Sequence, residues 1–170
     1  MIRMGQQLGF GRLHFEVGPE DMSLAVYPDP RYQRISATLS REVLSAACRV
    51  IGTHVHIGMP DHEVALKVYN SVVEKVDELC EIGDGSSGRR LDLYRLMAPQ
   101  WRPMRYDSWE NFFEVAQEEN FSEDPRHCWT LIRISPHGTI EFRMFGSTDS
   151  LEKIIDWAKT CHRICMEAMI

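Results

Sequence analysis

Gly52-Thr53-His54-Val55-His56-Ile57-Gly58 has the alternation of a β-strand. Successive side chains point to opposite faces, so Thr53, Val55 and Ile57 form an apolar face fit to pack on helices. His54 and His56 then stand side by side on the other face. Paired imidazoles suit metal ligation or hydrogen bonding to phosphate, and the flanking glycines admit close approach by a backbone or a ligand. Two half-buried histidines satisfied by their neighbours explain the pattern as well. A second stretch, Thr139-Ile140-Glu141-Phe142-Arg143-Met144-Phe145, sends Ile140, Phe142 and Met144 toward the core and Thr139, Glu141 and Arg143 the other way. Pro136-His137-Gly138 reads as a three-residue hairpin loop joining it to a strand over Trp129–Ser135. That loop length sets Arg133 across from Glu141 on one face. A carboxylate between two guanidiniums is either a surface ion-pair ladder of little worth or a phosphate-transfer site. In the second case the carboxylate holds Mg²⁺ and the guanidinium forks hold phosphate or a substrate carboxylate.

The remaining chain supplies helices to back this sheet. Ser40 is placed as an N-cap for a helix to about Val50, with Val43, Leu44, Ala46, Ala47 and Val50 inward. Asp61 opens a long helix to about Ile82, whose residues Ala65, Val68, Tyr69, Val72, Val76, Leu79 and Cys80 keep helical spacing, and Gly83 ends it. Asp84–Tyr106 reads as a long loop with a short helix near Leu91–Met97. Asp107 and Glu110 form a capping-box pattern for a helix over Ser108–Glu118 that buries Trp109, Phe112, Phe113 and Ala116. Asp149 with Glu152 caps a final helix with the stripe Leu151, Ile154, Ile155, Ala158, Cys161, Cys165 and Ala168. The first forty residues are rich in turn formers, with a short strand near Gly11–Val17. Asp29-Pro30-Arg31-Tyr32 places Arg31 and Tyr32 either at a ligand or in a plain turn. Gly83–Arg90 offers backbone N–H groups to phosphate but lacks a P-loop ending, and a mobile linker is its simpler reading. The expected fold class is α+β, an antiparallel β-sheet with helices packed on one face.

A chain of 170 residues is one domain by size, 1–170, and long enough for a real core. Its net charge of −6 argues against nucleic acid as the partner, though not against ATP, which needs only a few placed cations. No run reaches the length of a membrane span, and the first residues lack a signal-peptide apolar core, so a cytoplasmic enzyme is the expectation. The five scattered cysteines read as reduced thiols, with Cys161 and Cys165 as two core residues on one helix face rather than a metal or redox pair.

Gly52–Gly58 followed by Pro60-Asp61, and Gly138–Arg143 after Ile132-Arg133, resemble the type 2 glutamate–cysteine ligase family, also described as carboxylate–amine ligases. Pro28–Tyr32 and Ser108–Phe113 add to the likeness, which runs in family order from about Gly9 to the end. The resemblance implies a fold related to glutamine synthetase, with the chain standing as the C-terminal part of the catalytic domain. It implies that ATP phosphorylates a carboxylate and an amine then displaces phosphate, glutamate and cysteine being the type pair. By matched position, His54 and Glu141 would be Mg²⁺ ligands. Arg143 would meet the transferring phosphoryl group and Arg133 phosphate or substrate, with His56, Arg31 and Tyr32 as substrate or phosphate contacts.

The departures from the family are specific. Its members begin with a glutamate-rich strand that supplies further metal ligands, and nothing before Gly9 reads as that strand; Glu16 and Glu20 lie in a different context. The segment after the long helix is shorter than the family's. The chain is therefore expected to complete its site with a second copy or another partner. Two other readings stay open: a short relative acting as a binding or assembly module, and a metal hydrolase using His54 and His56.

Overall fold

A computed structural model describes residues 14–170. The part of the expected Gly11–Val17 strand before His14 lies outside them; Val17 makes a single bridge with Val50. The elements are α1 (Pro30–Thr38), α2 (Arg41–Arg49), β1 (Gly52–Gly58), α3 (His62–Val72), α4 (Val76–Gly83), α5 (Arg89–Met97), α6 (Trp109–Glu118), β2 (Ile132–Ser135), β3 (Thr139–Gly146) and α7 (Leu151–Met169). The strands form one antiparallel sheet in the order β1-β3-β2. No described helix is long and apolar enough to cross a membrane.

Hairpin register follows the loop as expected: Ser135 pairs with Thr139 and Arg133 with Glu141, with Gly138 at φ +70° in the turn. Between β1 and β3 the register slips once. Val55 pairs with Phe142 but Thr53 with Phe145, so Arg143 and Met144 both stand opposite His54. This bulge changes the parity of β3 beyond Met144. Phe145 therefore joins Ile140, Phe142 and Met144 in the core, stacked on Trp157 at 5.1 Å between ring centroids.

One face of the sheet packs on α3, α4 and α7. All seven residues read inward on the long helix are buried, although that helix is broken by a 3₁₀ turn at Val73–Lys75. The other face is not bare, as helices on a single face would leave it. There α1, α2 and α5 border a cavity whose walls include His54 and Arg143.

Several local expectations are corrected. Asp29-Pro30 is a helix start rather than a plain turn: Asp29 accepts from the Arg31 N–H and Pro30 takes the first helical position. Ser108 and Ser150, not Asp107 and Asp149, cap α6 and α7, each accepting from the N–H three residues on. The strand expected from Trp129 begins at Ile132. Phe113 is exposed. On α7, Leu151 and Ile155 face outward, while Trp157 and Ile164 are buried beside Cys161 and Cys165. Burial pushes both of these thiols up to about 12, as befits core residues.

The register of α7 on the core has a direct check by urea unfolding. Trp157→Ala is expected to cost about 3–5 kcal/mol, and Leu151→Ser less than about 0.5 kcal/mol. Equal costs would contradict the placement.

Candidate active site

Glu141 sits at the centre of the sheet face opposite the core, its side chain only 3% exposed. Arg133 on β2 donates from Nε to Glu141 Oε2 at 2.6 Å. Arg143, two residues along β3, donates from Nη1 to Oε1 at 2.9 Å. From β1, His54 Nδ1 lies 3.0 Å from the same oxygen and His56 Nε2 lies 3.8 Å from it. Three strands thus aim five side chains at one point. The cause is local: hairpin register sets Arg133 across from Glu141, and the bulge brings Arg143 opposite His54.

Three of the side chains around Glu141 are held from behind. Arg133 Nη1 donates to the carbonyls of Cys128 and Pro125. Arg143 Nε donates to the Tyr94 hydroxyl, which donates to the Trp129 carbonyl, and the guanidinium lies over the Trp129 ring. His56 Nδ1 and Thr139 Oγ1 share a hydrogen bond at 2.9 Å. Tyr94 and Trp129 come from outside the strand motifs; no spacing in the sequence pairs them with Arg143.

Electrostatically, one carboxylate faces two guanidiniums, leaving one positive charge in excess when the histidines are neutral. Burial alone would raise the Glu141 carboxyl. Hydrogen bonds from His54 and Arg133 and the charges of Arg143 and Arg133 outweigh it and hold the group well below the usual carboxylate range. Burial pushes His56 down, with Glu141 opposing.

The structure brings Arg31, Tyr32, His54 and Arg143 to one cavity of about 470 Å³. Arg31 is partly engaged there: its Nε donates to Asp124 Oδ2 at 3.1 Å, and its guanidinium lies 5.2 Å from the Tyr32 ring centroid. Arg133, Glu141 and His56 lie outside the cavity walls. Gly52 bears out the expectation of close approach, since a Cβ there would collide with the Arg90 guanidinium. The Gly83–Arg90 loop is neither phosphate cradle nor open linker. Asp84 accepts from the Ser86 and Gly88 N–H groups, and Glu16 from that of Gly85. Glu16, one of the two early glutamates, is thereby tied to this loop and is absent from the walls of the His54 cavity.

For a divalent cation the residues offer two neighbouring positions. His54 Nδ1 and Glu141 Oε1 lie 3.0 Å apart and hydrogen-bonded, so a cation held by both would replace the proton between them. An ionised carboxylate is the form a cation needs. Among the described residues no group of three His, Cys, Asp or Glu side chains gathers into a fuller ligand set.

Removing the Glu141 charge strands the buried guanidinium of Arg143 and the part-buried one of Arg133, so Glu141→Gln is expected to cost roughly 3–5 kcal/mol at pH 7. A depressed carboxylate contributes stability that is fully present above the unfolded value of about 4.3 and lost as pH falls toward the folded value. The penalty of the variant should therefore shrink below about pH 4, read by urea unfolding at a series of pH values. An unchanged penalty at pH 3 and 7 would contradict the assignment.

No family model matches the chain, and no solved structure does. Curated relatives do. The chain is 29% identical over 143 residues to "Putative glutamate--cysteine ligase 2" of Gloeobacter violaceus, covering 74% of this chain and 37% of that protein. It is 28% identical over 153 residues to the protein of the same name from Solibacter usitatus, covering 82% and 39%. A third of that name, from Micrococcus luteus, is 27% identical over 156 residues, covering 82% and 37%. The chain spans under two fifths of the length of these relatives. Three strands converging on one buried carboxylate thus lie in a chain that is homologous, over about four fifths of its own length, to proteins named "Putative glutamate--cysteine ligase 2".

Proposed function

We propose that this chain carries part of the active site of an ATP-dependent carboxylate–amine ligase, like the glutamate–cysteine ligases for which its relatives are named. The observation that supports it best is the buried Glu141 carboxylate, fixed between Arg133 and Arg143 with His54 beside it. Phosphoryl transfer asks mainly for positioning and for positive charge around the transferring group. A preformed cluster with one cation in excess meets that demand.

The reaction has two steps. A carboxylate oxygen of the acid attacks the γ-phosphorus of ATP, the bond to the ADP oxygen breaks, and an acyl phosphate forms. The amine nitrogen then attacks the acyl carbon, the carbon–oxygen bond to phosphate breaks with its electron pair leaving on phosphate, and the nitrogen sheds a proton. Of the two arginines paired with Glu141, Arg143 is the one that lines the cavity, and it would hold the oxygens of the phosphoryl group. Arg133 is tied to Glu141 and two backbone carbonyls, so it acts chiefly by fixing Glu141. His54 and Glu141 would hold Mg²⁺, which when bound neutralises charge on the phosphates. Further ligands would come from another polypeptide segment or a second copy. His56, Arg31 and Tyr32 would complete the polar surround. A metal hydrolase on His54 and His56 needs a third ligand, and no such group gathers among the described residues.

The test is ADP release from Mg-ATP by the purified chain, with glutamate and cysteine first among the acids and amines offered. Release should need both an acid and an amine. It should fall by about 100-fold or more in His54→Ala, with circular dichroism checking that the variant folds. Release that is indifferent to His54, or that needs no acid, would overturn the reading.

A further inference from the structure

Helix α5 grips Arg143 at two points. Its residues Arg90 and Tyr94 stand about one turn apart and share a face. Both are almost wholly buried. Tyr94 takes the side chain: its hydroxyl accepts from Arg143 Nε at 3.2 Å. Arg90 takes the backbone: Nη2 donates to the Arg143 carbonyl at 3.0 Å and Nη1 to the Met144 carbonyl at 2.8 Å. Its Nε donates to the carbonyl of Ile51, just ahead of β1, at 2.9 Å. The Arg143 N–H is held in turn by the Leu131 carbonyl.

Arg143 and Met144 are the two residues that the bulge sets against His54. A bulge interrupts the ladder, and its buried carbonyls need other donors. One guanidinium serves both, and ties them to the residue before the strand that carries His54. This is a costly way to fill the space. Arg90 is a buried charge, and among the described residues no carboxylate forms an ion pair with it; Glu16 and Asp84 act on it only from longer range. Its own position is set by the start of the helix, where the Arg90 N–H donates to Ser86 Oγ, which donates to Asp84. A lysine would carry the same charge but could not present a planar fork of N–H groups to three carbonyls.

We propose that Arg90 and Tyr94 are positioning residues for phosphoryl transfer: Arg90 fixes the bulge that sets Arg143 against His54, and Tyr94 fixes the direction of the Arg143 guanidinium. This rests on the ligase reading for what Arg143 holds, though not for the placement itself. Both residues act through Arg143. A displacement of about 1 Å at such a group can cost about 100-fold in rate. The loss falls on the chemical step more than on nucleotide affinity, because the geometry matters most in the transition state.

Two readouts on Arg90→Lys and Tyr94→Phe test this, with circular dichroism checking that each folds. Nitrogen-15 NMR of the arginine-labelled chain follows the Arg143 Nε–H, assigned by its absence in Arg143→Lys. Its exchange with water should quicken at least about tenfold in both variants. Ile164→Ala, which loosens the core on the other face of the sheet, should leave it unchanged. In ADP release from Mg-ATP, kcat should fall at least about tenfold in both variants, with KM for Mg-ATP within about threefold of the parent. An Arg143 signal that moves as much in Ile164→Ala, or a rise in KM with kcat unchanged, overturns the proposal. So does an Arg90→Lys chain with the parent's signal and kcat, since charge alone would then suffice. Tyr94→Phe removes a single oxygen, so an unchanged Arg143 signal there overturns the proposal even if Arg90→Lys does not fold. A parent chain that releases no ADP defeats the ligase reading alone, and the Arg143 signal still decides the placement.

Discussion

The ion pairs of Glu141 with Arg133 and Arg143 are the constraint on which the rest of the site depends. A carboxylate 3% exposed is strongly disfavoured without partners, and two guanidiniums on either side make it tolerable. Such a cluster is weak evidence for stability, since a well-packed apolar set often does as well. What it does give is position. Arg133 is pinned to the loop carbonyls of Pro125 and Cys128, and Arg143 to Tyr94 on α5. Strand, loop and helix are thereby tied to one carboxylate, and a side chain held from so many directions is preorganised for a ligand.

Arg90 plays a second, quieter part. It is almost wholly buried and donates to three backbone carbonyls at the ends of β1 and β3. Gly52 makes room for it, which gives one of the two glycines bracketing β1 a physical reason. At Gly58 a Cβ would meet nothing within 4 Å, so close approach does not explain that one. On the opposite face the sheet is anchored by aromatic packing, with Phe145 on Trp157 and Tyr69 on Tyr106 at 5.2 Å. Polar and apolar faces of a small sheet thus carry separate duties: one fixes the fold, the other holds charge.

Much of this was legible in the amino-acid sequence because the strand period is two and a three-residue loop fixes register. Arg133 across from Glu141, and His54 beside His56, follow from those rules alone. The bulge at Arg143–Met144 was not legible, because it is defined by pairing with β1, some ninety residues away. Helix α1 was missed because Asp29-Pro30 serves a turn and a helix start equally well. The face of α7 was misjudged for a similar reason. Leu151 and Ile155 keep helical spacing with the buried cysteines, but docking of Trp157 on Phe145 rotates the helix so that they face outward. The cavity had no sequence signal at all, since it exists only where α1 and α2 face residues of β1 and β3.

The central proposal is that the Glu141 carboxylate, ionised and preset between two arginines, would receive a magnesium nucleotide. It is tested most directly by carbon-13 NMR of the chain with labelled glutamate side-chain carboxyls, the Glu141 resonance being assigned by its absence in Glu141→Gln and followed against pH with and without Mg-ATP. The account predicts that this carboxyl stays ionised well below the usual carboxylate range and that its resonance moves when Mg-ATP is added. A carboxyl that titrates at an ordinary value, or that ignores the nucleotide, would contradict it.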